Sequence, residues 1–130
     1  MPGFTGISHV SLSVSDVAAS ARWYTEVLGF TERMSLEGET FTQRICMHDS
    51  GLILGLQQHH GNDGTAFDPA RAGLDHLSLA VPDRAGLDAW AEHLAAHGVK
   101  HSPIADTPAG CVLSFRDPDD IQLELFSPPA

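Results

Sequence analysis

The sequence predicts an α+β fold built from two tandem β-α-β-β-β modules, and three observations lead to that prediction. The stretch ISHVSLSVSD, residues 7–16, returns 67 positions later as LDHLSLAVPD, residues 74–83. In both copies branched apolar residues alternate with small or polar ones, which is typical of strands. Each copy is followed by apolar residues at spacings of three and four that end at a glycine, which is typical of a helix. The chain therefore contains one unit twice.

The first module is predicted to begin with a strand over Ile7–Val14. Asp16 stands at the N-cap position of the helix that follows, and Gly29 ends that helix after about Leu28. Three further strands are predicted over 30–36, 41–47 and 51–57, because β-branched and apolar residues recur there between turn residues.

The second module repeats this order from a strand over Leu74–Val81. Asp83 caps its helix, which runs to about His97 and stops at Gly98. Its remaining strands are predicted over 99–105, 111–116 and 121–126. We therefore expect a single domain over 1–130, with module one at about 5–58, a Gly- and Asp-rich linker at 59–73 and module two at about 74–127.

Composition and charge exclude several classes of function. The chain has 130 residues, enough for one domain with its own core. Its net charge of −10 argues against a nucleic-acid partner, which requires a basic surface. No apolar run approaches the ~20 residues of a membrane span, and residues 1–6 lack the layout of a signal peptide. With two cysteines, Cys46 and Cys111, that lack CxxC spacing, we expect a cytoplasmic protein with free thiols and no membrane partner.

Two histidines and a glutamate suggest a metal site. Side chains alternate across a strand, so His9 and His76 lie on the face opposite the branched apolar residues of their strands. Glu124 is flanked by leucines in a strand that is expected to be buried, where an unpaired carboxylate is costly. Two imidazoles and one carboxylate facing a common cavity would hold a divalent metal and leave coordination positions open.

The repeat also shows where a fourth ligand would stand. From the glycine stops onward the offset between the modules is 69, so Glu124 corresponds to Gly55. Gln57, two residues later and on the same face, could reach the metal directly or through water. Otherwise Gly55 leaves an open coordination position, or room for a ligand.

In these residues the chain resembles the vicinal oxygen chelate superfamily. This family includes glyoxalase I, bleomycin-resistance proteins, fosfomycin-resistance enzymes and extradiol ring-cleaving dioxygenases. The resemblance covers nearly the whole chain and is carried by four stretches: HVSLSVSD at 9–16, WYTEVLGF at 23–30, DHLSLAVPD at 75–83 and FRDPDDIQLELF at 115–126. It implies that the modules form a cup-like, partly open β-barrel, usually within a homodimer. It also implies that one divalent metal (Fe, Mn, Ni, Co or Zn) is held by His9, His76 and Glu124 and chelates neighbouring oxygens of a substrate.

Departures from the named relatives limit the choice of reaction. Metal-dependent glyoxalase I has a carboxylate, serving as ligand and base, where this chain has Gly55. Fosfomycin-resistance enzymes add a cluster of basic residues, whereas this chain has one lysine, Lys100. Well-known extradiol dioxygenases share the two-His, one-Glu set but are about twice as long and carry further His and Tyr residues. Bleomycin-resistance proteins are small and acidic, but they typically lack the metal ligands.

Two functions therefore stay open. The first is a metal-dependent enzyme, a lyase, isomerase or ring-cleaving dioxygenase acting on a small oxygen-rich molecule. The second is a non-catalytic binding protein of the bleomycin-resistance type that sequesters a small compound. In either case the residues expected to contact the small molecule are Ser11, Ser13, Arg44, Gln57, Ser78, Gln122 and Phe126.

Overall fold

The computed structural model describes residues 1–129, which separate into two compact units. The first comprises Met1–Thr65 and the second begins at Ala66. Each unit contains one helix and four strands in the predicted order β-α-β-β-β. No helix among these residues has both the length and the apolar character needed to span a membrane.

The first unit is a four-stranded sheet with one helix on one face. Its strands have the spatial order β1-β4-β3-β2, with β1 parallel to β4 and the other neighbours antiparallel. The elements are β1 (Val10–Ser13), α1 (Val17–Leu28), β2 (Thr31–Glu37), β3 (Phe41–Met47) and β4 (Ile53–His59). Helix α1 covers one face, and the core between them contains Leu12, Tyr24, Cys46, Leu54 and Leu56, all at most 4% exposed.

The second unit has the same topology, with the spatial order β5-β8-β7-β6 and β5 parallel to β8. Its elements are β5 (Leu77–Ala80), α2 (Arg84–Ala96), β6 (Ala105–Thr107), β7 (Gly110–Arg116) and β8 (Gln122–Ser127). Leu87 and Leu94 of the helix are fully buried, as are Leu113 and Leu123 of the sheet. The opposite, open face of each sheet carries most of the predicted site residues.

The helix boundaries follow the predicted caps. Asp16 accepts a hydrogen bond from the backbone N–H of Ala19 at 3.0 Å, and Asp83 accepts one from Gly86 at 2.9 Å. Such bonds satisfy N–H groups that lack a partner within the first helical turn. Helix α1 ends at Gly29, whose φ of 77° is a left-handed conformation that favours glycine.

One strand prediction is wrong in position, and two are wrong in length. Strand β6 lies at Ala105–Thr107, whereas a strand was predicted over 99–105. In the predicted segment His101 forms only an isolated bridge with Phe115, and Pro103 has no N–H to donate to a neighbouring strand. The first strand of each module is also shorter than predicted, because parallel pairing begins only at Val10 in β1 and at Leu77 in β5.

Candidate metal centre

His76 and Glu124 lie side by side in the second unit. Leu77 pairs with Leu123 in the parallel ladder and Ser78 pairs with Glu124, so the side chains of His76 and Glu124 lie on the face away from α2. The His76 Nε2 atom is 3.3 Å from Glu124 Oε1. The glutamate side chain is 16% exposed and that of the histidine is 40% exposed, so the pair is still open to solvent.

A tight turn sets the position of Glu124. The buried carboxylate of Asp117 accepts hydrogen bonds from the backbone N–H groups of Asp119 and Ile121, at 2.8 and 2.9 Å. Asp120 has a φ of 64°, a conformation that aspartate adopts more readily than most residues. Strand β8 starts directly after this turn, and its alternation buries Leu123 and Leu125 and turns Glu124 to the other face.

Asp75 orients the imidazole of His76. Its Oδ1 atom lies 2.7 Å from His76 Nδ1, so this nitrogen carries a proton and donates it to the carboxylate. The hydrogen bond to Asp75 raises the pKa of His76; the nearby charge of Glu124 adds to this, and partial burial opposes it. In the neutral ring Nε2 has a lone pair and faces Glu124 Oε1, which is also an acceptor. Two acceptors this close repel each other unless a proton or a metal cation lies between them.

This pair fits a divalent cation. A nitrogen and an oxygen 3.3 Å apart can both lie about 2.1 Å from one ion, with an angle of about 100° at the ion. That angle lies between the octahedral and tetrahedral values. A carboxylate bound to the second nitrogen of a metal-ligating histidine is also the usual outer partner of such a ligand. Among residues 1–129 the structure shows no group of three or more His, Cys, Asp or Glu side chains placed to hold a metal ion.

His9 has an equivalent setting in the first unit. It is exposed and directly precedes β1, just as His76 directly precedes β5. Its Nδ1 atom lies 2.9 Å from the hydroxyl of Ser8, the residue that corresponds to Asp75 under the offset of 67. Both histidines thus have the Nδ1 atom engaged by the preceding side chain. Sequence reasoning missed Ser8 and Asp75, although a polar residue before each histidine of the repeat was visible.

The predicted correspondence between Gly55 and Glu124 is confirmed by strand register. Ser11 pairs with Gly55 across β1 and β4, as Ser78 pairs with Glu124 across β5 and β8. Leu12 pairs with Leu56 in the first unit, which keeps the apolar residues on the helix side. The first unit therefore has no carboxylate at the position where the second unit has one.

Most of the predicted contact residues share a face with the histidine of their own unit. Ser11, Ser13 and Gln57 lie on the open face of the first sheet, where Ser13 pairs with Gln57. Ser78, Gln122 and Phe126 lie on the open face of the second, together with Glu124.

Arg44 does not lie on the open face. It pairs with Leu56 in the antiparallel ladder and so lies on the helix side of the sheet, where its Nη1 donates to Glu32 Oε1 at 2.6 Å. The alternation of β3 places Gln43, not Arg44, on the open face beside Gln57. The contact of Arg44 with the small molecule stays a prediction.

Comparison with known proteins points to one family. Residues 6–125 match the model of the Glyoxalase/Bleomycin resistance protein/Dioxygenase superfamily. The chain is 31% identical to the uncharacterized protein YaeR of Escherichia coli K12, over 97% of this chain and 98% of that protein. It is 26% identical to MhqA of Bacillus subtilis 168, named as a putative ring-cleaving dioxygenase, over 94% of this chain but 39% of that protein.

Solved structures agree on the fold. A glyoxylase/bleomycin resistance protein/dioxygenase domain from Frankia sp. EAN1pec superposes with a TM-score of 0.90 at 40% identity, over 97% of this chain and 93% of that one. The fosfomycin resistance protein FosX of Listeria monocytogenes, solved with Mn(II) and sulfate, gives a TM-score of 0.72 at 19% identity, over 96% and 93%. TnmS3, an antibiotic binding protein from Streptomyces sp. CB03234, gives 0.76 at 22% identity, over 98% and 99%. The predicted fold class is confirmed, and the two structures below 25% identity support the fold alone.

Proposed function

Because the chain belongs to the Glyoxalase/Bleomycin resistance protein/Dioxygenase superfamily, we propose that it is a divalent-metal-dependent enzyme acting on a small molecule with neighbouring oxygens. His9, His76 and Glu124 are the proposed ligands, and Fe, Mn, Ni, Co or Zn is the proposed metal. The observation that carries the proposal is the approach of His76 Nε2 to Glu124 Oε1 at 3.3 Å, with Asp75 engaging the other ring nitrogen. The pattern matches a metal-ligating histidine and its outer carboxylate.

The side chains have distinct proposed roles. Asp75 holds the tautomer of His76 that presents Nε2, and Ser8 holds the ring of His9. Bound metal supplies a Lewis acid that polarises substrate oxygens. Hydroxyl and amide groups on the open faces position the substrate, and Phe126 packs against it. These groups are Ser11, Ser13, Gln57, Ser78 and Gln122. The reaction is that of a lyase, an isomerase or a ring-cleaving dioxygenase.

Metal analysis tests the proposal. Protein purified without chelator and then reconstituted is expected to hold one metal per chain by elemental analysis. Each of His9→Ala, His76→Ala and Glu124→Gln is expected to lose it, because three-ligand sites do not tolerate loss of a ligand at low metal concentration. His97→Ala is the matched control, since His97 is an exposed residue whose Nδ1 contacts the backbone carbonyl of His93. A wild-type chain that holds no metal would refute the enzyme.

Oxygen uptake separates the reaction classes. A ring-cleaving dioxygenase consumes one O₂ for each catechol, whereas a lyase or an isomerase converts its substrate equally well without oxygen. An oxygen electrode and an anaerobic assay with the same metal-loaded protein therefore distinguish them.

Two observations favour the second candidate function, a non-catalytic binding protein. The chain has Gly55 where a second carboxylate, a potential base, would stand, and its net charge of −10 suits a cationic compound. Tight binding of a cationic drug such as bleomycin by a protein that holds no metal would establish this alternative. For either function we expect a homodimer, measured by sedimentation equilibrium, and a cytoplasmic location, consistent with two buried free cysteines.

A further inference from the structure

Strand β2 forms an edge of the first sheet that is open to pairing. Within the first unit β2 has only β3 as a neighbour, and all the residues of Thr31–Glu37 are exposed. The backbone N–H and C=O groups on the outer side of such a strand lack partners and can pair with another strand. The register between β2 and β3 shifts at Arg33, so the regular part of this edge is Met34 to Glu37.

The second unit provides a comparison, because its equivalent edge is protected. There the edge strand β6 has three residues, Ala105–Thr107, and Pro103 lies just before it. Short edge strands and prolines are common means by which proteins prevent two edges from pairing. The side chains differ as well, since Met34 is 52% exposed and Leu36 is 41% exposed, whereas β6 contains no large apolar residue. The first unit therefore has a pairing edge that the second unit lacks.

The sequence of β2 is complementary to itself in one antiparallel register. Two copies aligned about a two-fold axis at Ser35 place Arg33 of each copy opposite Glu37 of the other. The same alignment places Met34 opposite Leu36 on both sides of the axis. Opposite charges and apolar side chains at directly opposed positions stabilise a sheet, so this register is favourable at each of these pairs.

The contacts within one copy leave the charged groups available for such pairing. Among the residues that the structure describes, Arg33 forms no ion pair, and Glu37 accepts one hydrogen bond, from the Thr42 hydroxyl at 3.0 Å. Arg33 and Glu37 of one copy are about 13 Å apart along an extended strand, so they can meet only between copies. Moving the axis by half a residue toward the N-terminus would bring Glu32 opposite Glu37, where like charges are destabilising.

We propose that β2 is a self-association surface, in which the β2 strands of two copies pair antiparallel about Ser35. This pairing joins two four-stranded sheets into one sheet of eight strands. Met34 and Leu36 pair with Ile45 and Gln43 of β3, so their contacts between the copies lie on the open face of the sheet. The inference does not rest on the proposed metal ligands or on the proposed reaction.

Disulfide trapping tests the pairing, because a cysteine on the two-fold axis lies opposite the same cysteine of the other copy. Ser35→Cys places the two Cα atoms about 4.5–5.5 Å apart, a separation that suits a disulfide. Ala105→Cys is the matched control, since Ala105 is an exposed residue of the edge strand in the second unit. The two native thiols are buried, so the wild type gives the background. If Ser35→Cys does not fold, a mixture of Met34→Cys and Leu36→Cys tests the same register.

We expect Ser35→Cys to form linked dimers at least about tenfold faster than Ala105→Cys during mild oxidation, because pairing raises the effective concentration of the two thiols. In the Ser35→Cys chain, Arg33→Glu or Glu37→Arg alone opposes like charges and is expected to slow linking at least about fivefold. The double exchange restores the opposite charges and is expected to restore the rate.

Three results would overturn the proposal: equal linking rates of Ser35→Cys and Ala105→Cys, single charge reversals without effect, or a double exchange as slow as the single ones. A chain that dimerises through another surface, or whose β2 edge takes a strand of a different protein, would give the first of these results. Non-reducing gels measure the linked fraction over time, and circular dichroism confirms that each variant is folded.

Discussion

Replacing Asp75 by asparagine is expected to weaken metal binding without touching any proposed ligand. The Asp75 carboxylate accepts the Nδ1 proton of His76 at 2.7 Å, within the range of charge-assisted hydrogen bonds. Asparagine keeps an acceptor oxygen at the same place but removes the charge. The imidazole then becomes a poorer donor of its Nε2 lone pair and is held less firmly.

The size of the effect follows from the exposure of the pair. Loss of the outer partner of a metal-bound histidine typically costs about 10- to 100-fold in affinity. Asp75 is 71% exposed and its charge is screened by water, so we expect the lower end, about tenfold. The free energy of unfolding of the metal-free protein is expected to change little, because exposed ion pairs contribute about 0–1 kcal/mol.

Competition against a chromophoric Zn²⁺ chelator at pH 8 measures this affinity directly. Asp88→Asn is a matched control, since Asp88 is also exposed and pairs with Arg84 on α2 at 3.7 Å. A Zn²⁺ affinity of Asp75→Asn within twofold of the wild type would refute the orienting role of Asp75. An equal loss in Asp88→Asn would show that general surface charge, rather than the contact with His76, determines the affinity.

Three further predictions concern the scaffold. Gly110→Ala is expected to lower the free energy of unfolding by about 2 kcal/mol or more. Gly110 has a φ of 150°, and a Cβ atom there would collide with the backbone oxygen of Ser127. An unchanged midpoint of urea unfolding would contradict this prediction. Leu54→Ala should lower the free energy of unfolding by about 2–5 kcal/mol in the same urea titration, because Leu54 is fully buried against α1. A decrease below about 1 kcal/mol would contradict this and would mean that neighbouring side chains fill the space left by the leucine. Burial raises the pKa of the Cys46 thiol, so alkylation by iodoacetamide should be slow in the native state, and rapid native-state alkylation would contradict the burial. The raised pKa keeps the Cys46 thiol protonated in the folded chain at pH values where the unfolded chain begins to lose this proton. The contribution of Cys46 to the free energy of unfolding is therefore fully present below about pH 8.5 and falls as the pH rises above that value. Denaturant titrations at several pH values would measure this decrease.

Much of this architecture could be predicted from the repeat. The aspartate caps, the glycine stop after α1 and the correspondence of Gly55 with Glu124 all follow from local chemistry and spacing, and strand register agrees with them. These signals are readable because each involves a residue type with a strong positional preference. The adjacency of His76 and Glu124 also follows once β5 and β8 are known to be neighbours.

Other features could not be read because their signals are ambiguous. In β3 both faces mix polar and apolar residues, with Gln43 and Ile45 on one and Arg44 and Cys46 on the other, so alternation does not identify the open face. The segment after α2 is apolar enough for a strand, but Pro103 interrupts it and the pairing moves to β6. The roles of Ser8 and Asp75 depend on side-chain geometry, which no periodicity encodes.

The parallel pairing within each unit has a consequence for biosynthesis. Val10 pairs with Leu54, so the 44 residues that follow Val10 must leave the ribosome before β1 can pair with β4. Until then the apolar side chains of β1, Val10 and Leu12, have no neighbouring strand to pack beside, and unpaired strands of this kind are prone to aggregate. The second half of the chain shows the same delay, because β5 can pair only after β8 has been synthesised. A ribosome stalled before β4 is complete should therefore display a nascent chain that proteases cleave readily, and one stalled after it a resistant chain.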